Sequence, residues 1–121
     1  MNNCRTEKAY RHFGHDIADE DTPIEAGLGF TIAFEKKNCF IGRYALLKKK
    51  EAKVSTKRII TLALADDSEA SPLMYHEEPI FRDGVLVGST TSGAWGHRVN
   101  KSLGMGYVHC EEGVTKDWID S

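Results

Sequence analysis

"EEPIFRDGVLVGSTTSG", residues 77–93, decides the fold. Asp83-Gly84 stands between PIFR and VLVGS, two runs rich in branched and aromatic residues. A two-residue hairpin turn needs positive φ angles. Glycine supplies them without a Cβ clash, and aspartate tolerates the left-handed region. The pattern predicts two antiparallel strands joined at Asp83-Gly84, with Thr90-Thr91-Ser92-Gly93 as a second turn or strand-loop.

Outward from this hairpin, KRIITLALAD (57–66) reads as a strand of branched residues, and SLGMGYVHC (102–110) as a further strand. Short strands about ten residues apart predict a small barrel or sandwich. N-terminal to Thr56 the pattern changes. CRTEKAYRHF (4–13) predicts a short helix, with Ala9, Tyr10 and Phe13 on one face and Gly14 as its stop. Residues 15–25 form a polar loop that includes the turn Asp21-Thr22-Pro23. GLGFTIAFE (27–35) predicts a strand, and Lys36-Lys37-Asn38 a turn. FIGRYALLKKKEAK (40–53) predicts a helix entered at Ile41-Gly42, with Tyr44, Ala45, Leu46 and Leu47 as its apolar side. Lys48–Lys50 suit the negative end of the helix dipole, and a phosphate or polyglutamate contact is their alternative use. A boundary near Ser55 divides residues 1–55 from residues 56–121. The fold class is α+β: a short helix–strand–helix segment followed by a mainly antiparallel β-barrel.

The 121 residues carry a net charge of −2, so no global basic field favours nucleic acid. The three cysteines, Cys4, Cys39 and Cys110, are odd in number and widely spaced. That disfavours a disulfide framework or a zinc motif and fits a reducing compartment, the cytoplasm or, in a eukaryote, the mitochondrial matrix. No apolar run reaches the roughly 20 residues that span a bilayer.

The dense run RHFGHDIADEDTPIEAGLGF (11–30) raises the question of a metal or acid/base site. His12 and His15 are spaced H-x-x-H across Gly14, not as the H-E-x-x-H of a helical zinc site, and the carboxylates lack the alternation of a calcium loop. Cys110 and His109 are strand neighbours and face opposite ways, so they do not pair. Ser92 in T-T-S-G-A lacks the G-x-S-x-G elbow, and no dinucleotide-binding glycine pattern is present. No catalytic set emerges. Glu7 stands out, beside Tyr10 and between Arg5 and Arg11. Its two oxygens suit a heterocycle that presents an N–H next to an amino group, as guanine and pterin do. An ordinary i,i+4 ion pair with Arg11 is the other explanation.

RTEKAYRHFGHDI, TPIEAGLGF, FIGRYALL and GSTTSGAWGH…KSLGMGYV, in this order, resemble the aminomethyltransferase (glycine cleavage T protein) family. The first block is most similar to the C-terminal portion of sarcosine and dimethylglycine dehydrogenases. The resemblance runs from about Arg5 to Trp118. It implies that residues 1–55 end a folate-binding central region and residues 56–121 form the C-terminal barrel domain. It further implies a tetrahydrofolate pocket in which Glu7 holds the pterin and Tyr10 lines the same pocket. Arg58 lies near the folate tail, and Trp95 sits on a loop at the pocket mouth. FAD belongs to a preceding domain of the parent dehydrogenase and is not bound by these residues. The resemblance also implies that the family's catalytic aspartate belongs to a part of the fold before Met1, and that the barrel is expected to continue past Ser121. The chain is thus expected to be part of a longer enzyme that passes a one-carbon unit to tetrahydrofolate, and catalytically silent alone. A glycine cleavage aminomethyltransferase with a lipoyl-carrier partner, or a non-catalytic regulatory relative, are the alternatives. Where the family has Leu, Ile or Met before the glutamate, this chain has Thr6. An unpaired strand edge beside SLGMGYVHC is expected to drive self-association.

Overall fold

The structure, a computed structural model, describes residues 1–52, 55–65 and 72–120. Its elements run α1 (Asn2–Glu7), a 3-10 turn (Gly29–Thr31), α2 (Arg43–Glu51), β1 (Lys57–Ala63), β2 (Pro79–Arg82), β3 (Val85–Gly96), β4 (Lys101–His109) and α3 (Lys116–Asp120). The four strands form one antiparallel sheet in the order β1-β4-β3-β2, open among the described residues.

The hairpin forms as its sequence requires. Asp83 and Gly84 both take positive φ, 50° and 77°, and connect β2 to β3. Thr90–Gly93 is not a second turn. It lies inside the 12-residue β3, where the register to β4 slips between Thr90 and Ser92. A bulge sets one extra residue in the strand and re-aims its side chain; here that residue is Thr91. β4 is flanked by β1 and β3, so the expected unpaired edge beside it does not exist. The outer strands are β1 and β2. Two-sided pairing gives β4 its burial, from Ser102 through Val108.

The two faces of the sheet are covered differently. Ile59, Met105 and Tyr107 share one face, against which Ala9 packs just after α1. On the opposite face Gly93 pairs with Gly104. A Cβ on Gly93 would fall on the main-chain carbonyl of Met74, and one on Gly104 would crowd the Met74 side chain. These glycines let the chain near Met74 lie directly on the strands, tied by the Met74 N–H to the Ser102 Oγ at 3.1 Å.

Three N-terminal expectations change. The helix expected over 4–13 ends at Glu7. Ala9 sits at φ 54°, the Ala9 N–H bonds the Thr6 carbonyl at 2.9 Å, and the Tyr10 N–H reaches back to the Arg5 carbonyl at 2.9 Å. This is a Schellman stop, with alanine where glycine is usual. The strand expected over 27–35 is a 3-10 turn. The neighbouring turn 22–28 has already delivered the Glu25 carbonyl to the β1 edge, where it accepts the Ile59 N–H at 2.9 Å, and residues 28–32 close their own i,i+3 bonds. A strand needs a partner ladder, and among the described residues none pairs with this stretch. α2 is shorter than 40–53 and buries none of its residues. Of its apolar side, Leu46 and Leu47 are half-buried, while Ala45 is exposed and Tyr44 is 77% exposed. Lys53 and Asp66, the last residues of two expected elements, lie outside the described residues. Thr6 is buried, but its hydroxyl donates to the Asn2 carbonyl at 3.0 Å, so a polar residue is accommodated where the family has an apolar one.

Candidate functional site

The polar run that opens the chain is held by its carboxylates. Asp16 is fully buried. It accepts from Arg5 Nη1 at 2.7 Å, from the His12 N–H at 2.8 Å and from Thr91 Oγ1 at 2.6 Å. Arg5 also donates to Ser92 Oγ at 2.8 Å and to the Tyr10 carbonyl at 3.1 Å. One carboxylate thereby joins α1, the loop after it and the bulge of β3. Burial alone would raise the Asp16 pKa. Hydrogen bonds from Ser92, Thr91 and the His12 N–H, with the Arg5 charge, outweigh it and hold the carboxyl below its ordinary range.

Asp21 and Glu25 repeat the principle. Asp21 accepts from the Ala18 N–H at 2.9 Å and pairs with Lys57 of β1 at 2.5 Å. Thr22-Pro23-Ile24-Glu25 builds a capping box: Glu25 accepts from the Thr22 N–H at 2.9 Å and from its hydroxyl at 2.6 Å. Gly27 then closes the turn at φ 67°. The other Glu25 oxygen takes Lys49 of α2 at 2.7 Å. Burial opposes ionisation, yet Lys49 and Thr22 together bring the Glu25 pKa down to about 2. The T-P-x-E spacing was a readable cap signal. The role of Asp16 was not, because its partner Thr91 is 75 residues away.

The four residues singled out for ligand binding do not meet in one place. Glu7, on α1, is half-buried and accepts the Arg98 N–H at 2.6 Å, which ties α1 to the turn between β3 and β4. The expected ion pair with Arg11 is absent. Arg11 instead donates to the carbonyls of Ala26 and Ala9. Tyr10 is exposed. Trp95 is not on a loop: it lies within β3 opposite Ser102. Arg58 lies opposite Val108 at the other end of β4. Strand alternation puts Trp95 and Arg58 on the face away from α1, about 20 Å apart along the strand.

Arg58 lines a cavity of about 600 Å³ with Phe30, Phe34, Lys49, Lys50 and Lys116. A second, of about 380 Å³, is lined by Arg5, His12, His15, His76, Thr91 and Ser92 among others. The His12 and His15 rings stack at 4.6 Å between centroids. Among the described residues, no group of three or more His, Cys, Asp or Glu is arranged to hold a metal ion, and no helix is long and apolar enough to cross a membrane.

Residues 57–120 match the family model of the glycine cleavage T-protein C-terminal barrel domain. The chain is 35% identical over 118 residues to a 4-methylaminobutanoate oxidase (formaldehyde-forming) of Paenarthrobacter nicotinovorans, an overlap of 98% of this chain and 14% of that protein. It is 39% identical over 108 residues to the mitochondrial dimethylglycine dehydrogenase of Homo sapiens, covering 89% of this chain and 12% of the relative. Among solved structures, the glycine cleavage system aminomethyltransferase T from Bartonella henselae superposes with a TM-score of 0.74 at 25% identity, over 89% of this chain and 29% of that one. The chain therefore spans a small part of each relative's length.

Proposed function

The chain belongs to the glycine cleavage T-protein C-terminal barrel family, and from that premise we propose that it is the C-terminal tetrahydrofolate-binding segment of an FAD-dependent sarcosine- or dimethylglycine-dehydrogenase-type enzyme. Residues 1–55 then contribute the end of the folate-binding region and residues 56–121 the barrel domain. In this reading Glu7 accepts from the pterin N–H and amino group, with Tyr10 beside it. Arg58 meets the anionic tail, and Trp95 approaches the mouth from the far face of the sheet. The one-carbon transfer and the flavin chemistry belong to the whole enzyme, and the chain alone is silent.

The observation that supports this reading is the setting of Glu7. It has no cation partner among the described residues, and Arg11, its natural helix-face partner, is engaged elsewhere. One oxygen is fixed by the Arg98 N–H. A carboxylate oxygen accepts more than one donor, so both oxygens can still receive a parallel donor pair. The shared R-x-E block adds the family's own use of that position. A glycine cleavage aminomethyltransferase is the second reading, favoured by the solved structure that the chain superposes on.

Titration with tetrahydrofolate tests the proposal. Glu7→Gln keeps an acceptor for the Arg98 N–H but turns one ligand-facing acceptor into a donor. The mismatch costs about 2–3 kcal/mol, a roughly 30- to 150-fold loss of affinity. Equal affinity of both proteins, with a stability change below about 1 kcal/mol, would leave Glu7 as a tether of the β3–β4 turn and nothing more.

A further inference from the structure

The loop after α1 and the segment before β2 bring three imidazoles to one cavity. His12, His15 and His76 line its roughly 380 Å³ together with Arg5, Thr91 and Ser92. The folate reading uses none of these residues. Each histidine is held in place by the main chain. The His15 and Asp16 N–H groups both donate to the His12 carbonyl, at 3.1 and 2.8 Å, and Asp16 accepts the His12 N–H in return. This tight loop puts the His12 and His15 rings on one side, stacked at 4.6 Å. Thr90 pins the chain on either side of His76. Its hydroxyl donates to the Tyr75 carbonyl at 2.5 Å, and its carbonyl accepts the Glu77 N–H at 2.7 Å. The bulge of β3 adds Thr91 and Ser92 to the wall.

Among the described residues the three rings have no hydrogen-bond partner, and no carboxylate lines the cavity. Asp16 lies behind the wall and is matched by Arg5, and Glu77 and Glu78 follow His76 without lining the space. Arg5 donates from Nε to Asn2, from Nη1 to Tyr10 and Asp16, and from Nη2 to Ser92. A guanidinium has five N–H groups, so one on Nη2 is left over. Its charge in the wall repels a metal cation and attracts an anion. Imidazole gains its charge between about pH 8 and pH 5. Two charged rings stacked at 4.6 Å repel one another, and an anion between them and Arg5 removes that repulsion. We propose that this cavity binds an oxyanion of the sulfate or phosphate type, together with protons that His12, His15 and His76 take up from solvent. The wall withstands the acid that this requires. Asp16 is held below the ordinary carboxylate range, so it stays ionised and keeps Arg5 in place while the imidazoles charge.

Sulfate is the first probe, because its charge is constant over this range. Its binding is followed at constant ionic strength by NMR of the imidazole C–H signals. Sulfate should bind at least about tenfold more tightly at about pH 5.5 than at about pH 8. It should raise the titration midpoints of His12, His15 and His76. His12→Gln, His15→Gln and His76→Gln should each weaken binding at about pH 5.5 by about two- to fivefold and flatten its pH dependence. His109→Gln, at the far end of β4, should change neither. Met1 also lines the cavity, and acetylating its amino group should leave the pH dependence intact. The three histidines are exposed, so the variants are expected to fold, and circular dichroism checks that they do. A free oxyanion and the phosphate of a larger molecule share this chemistry. Inorganic phosphate and glycerol 3-phosphate, compared at about pH 6, separate them. Tighter binding of the ester assigns the site to a phosphorylated molecule, and equal or weaker binding assigns it to the ion; either upholds it. Sulfate affinity that is equal at both pH values would overturn the proposal, as would no binding at all. So would a pH dependence that the three variants leave unchanged, or that His109→Gln reduces as much. Binding of zinc ion in place of sulfate would make this a cation site and overturn it too. Glu7→Gln should not alter these titrations, so a failure here and a failure of the folate reading are separate results.

Discussion

The sheet and the segment before it hold their shape by different physics. β1 to β4 are joined by antiparallel backbone ladders, and their glycines admit neighbouring chain at main-chain distance. Residues 8–42 have a single 3-10 turn among them, and their positions are set by three carboxylates, each of which takes a cation from another element: Asp16 from Arg5, Asp21 from Lys57, Glu25 from Lys49. Shape in the first region is encoded by steric fit. In the second it is encoded by charge and hydrogen bonding. The two should therefore fail under different insults.

The largest effect is expected from Asp16→Ala. It strips Arg5 of its buried counter-charge, leaves the His12 N–H without its acceptor and leaves the Thr91 hydroxyl only the Met105 carbonyl at 3.2 Å. Breaking a buried pair in this way costs about 3–5 kcal/mol. Urea denaturation should register it. Hydrogen exchange should quicken first at the loop amides of Gly14 and Asp16 and last in the centre of β4. Uniform acceleration across both regions would show that the two are not separable. The converse break is Gly93→Ala, which drives a methyl group into the Met74 carbonyl and should cost about 1–3 kcal/mol with the loop network intact. A neutral result would mean that the chain over the sheet shifts without penalty.

Acid distinguishes the regions without mutation. Asp16 and Glu25 both have folded pKa values below their unfolded ones, which lie near 3.9 and 4.3. Their contribution is therefore complete above about pH 5 and is lost as the pH falls through the folded values, for Glu25 down to about 2. The melting temperature should be flat from neutrality to about pH 5 and then decline. Glu25→Gln should make that decline shallower, at an expense of about 1–2 kcal/mol at neutral pH. A decline identical in the variant would remove Glu25 from the account. The smallest effect belongs to the junction of the two regions. Ala9→Gly relieves a left-handed alanine but loosens the unfolded chain and removes a methyl group from the Ile59, Met105 and Tyr107 cluster. The balance is a gain of about 0.5 kcal/mol. A clear loss would show that packing outweighs backbone strain at the helix stop.

The same division separates what was legible in the sequence from what was not. The antiparallel strands and the Asp83-Gly84 turn could be read directly, because strand alternation and hairpin chemistry are local and each is enforced by residues a few positions apart. The ordered blocks also carried the family, and the matched barrel domain over residues 57–120 bears that out. The helix at 4–13 and the strand at 27–35 could not be read correctly. Their ends are set by Ala9 in the left-handed region and by the absence of a ladder partner for residues 27–35. Alternation in a window of nine residues does not report whether a partner strand exists. The candidate site divides in the same way: the sequence alone singled out Glu7 as an acceptor, while folding took away its Arg11 partner and supplied the Arg98 N–H. Only tertiary structure joined Arg5, Asp16 and Thr91, gathered Arg58 with Lys49, Lys50 and Lys116, and set Trp95 and Arg58 on the face away from α1. Local propensity acts over a few residues. Charge pairing and cavity formation join residues tens of positions apart, and those distances exist only once the chain has closed.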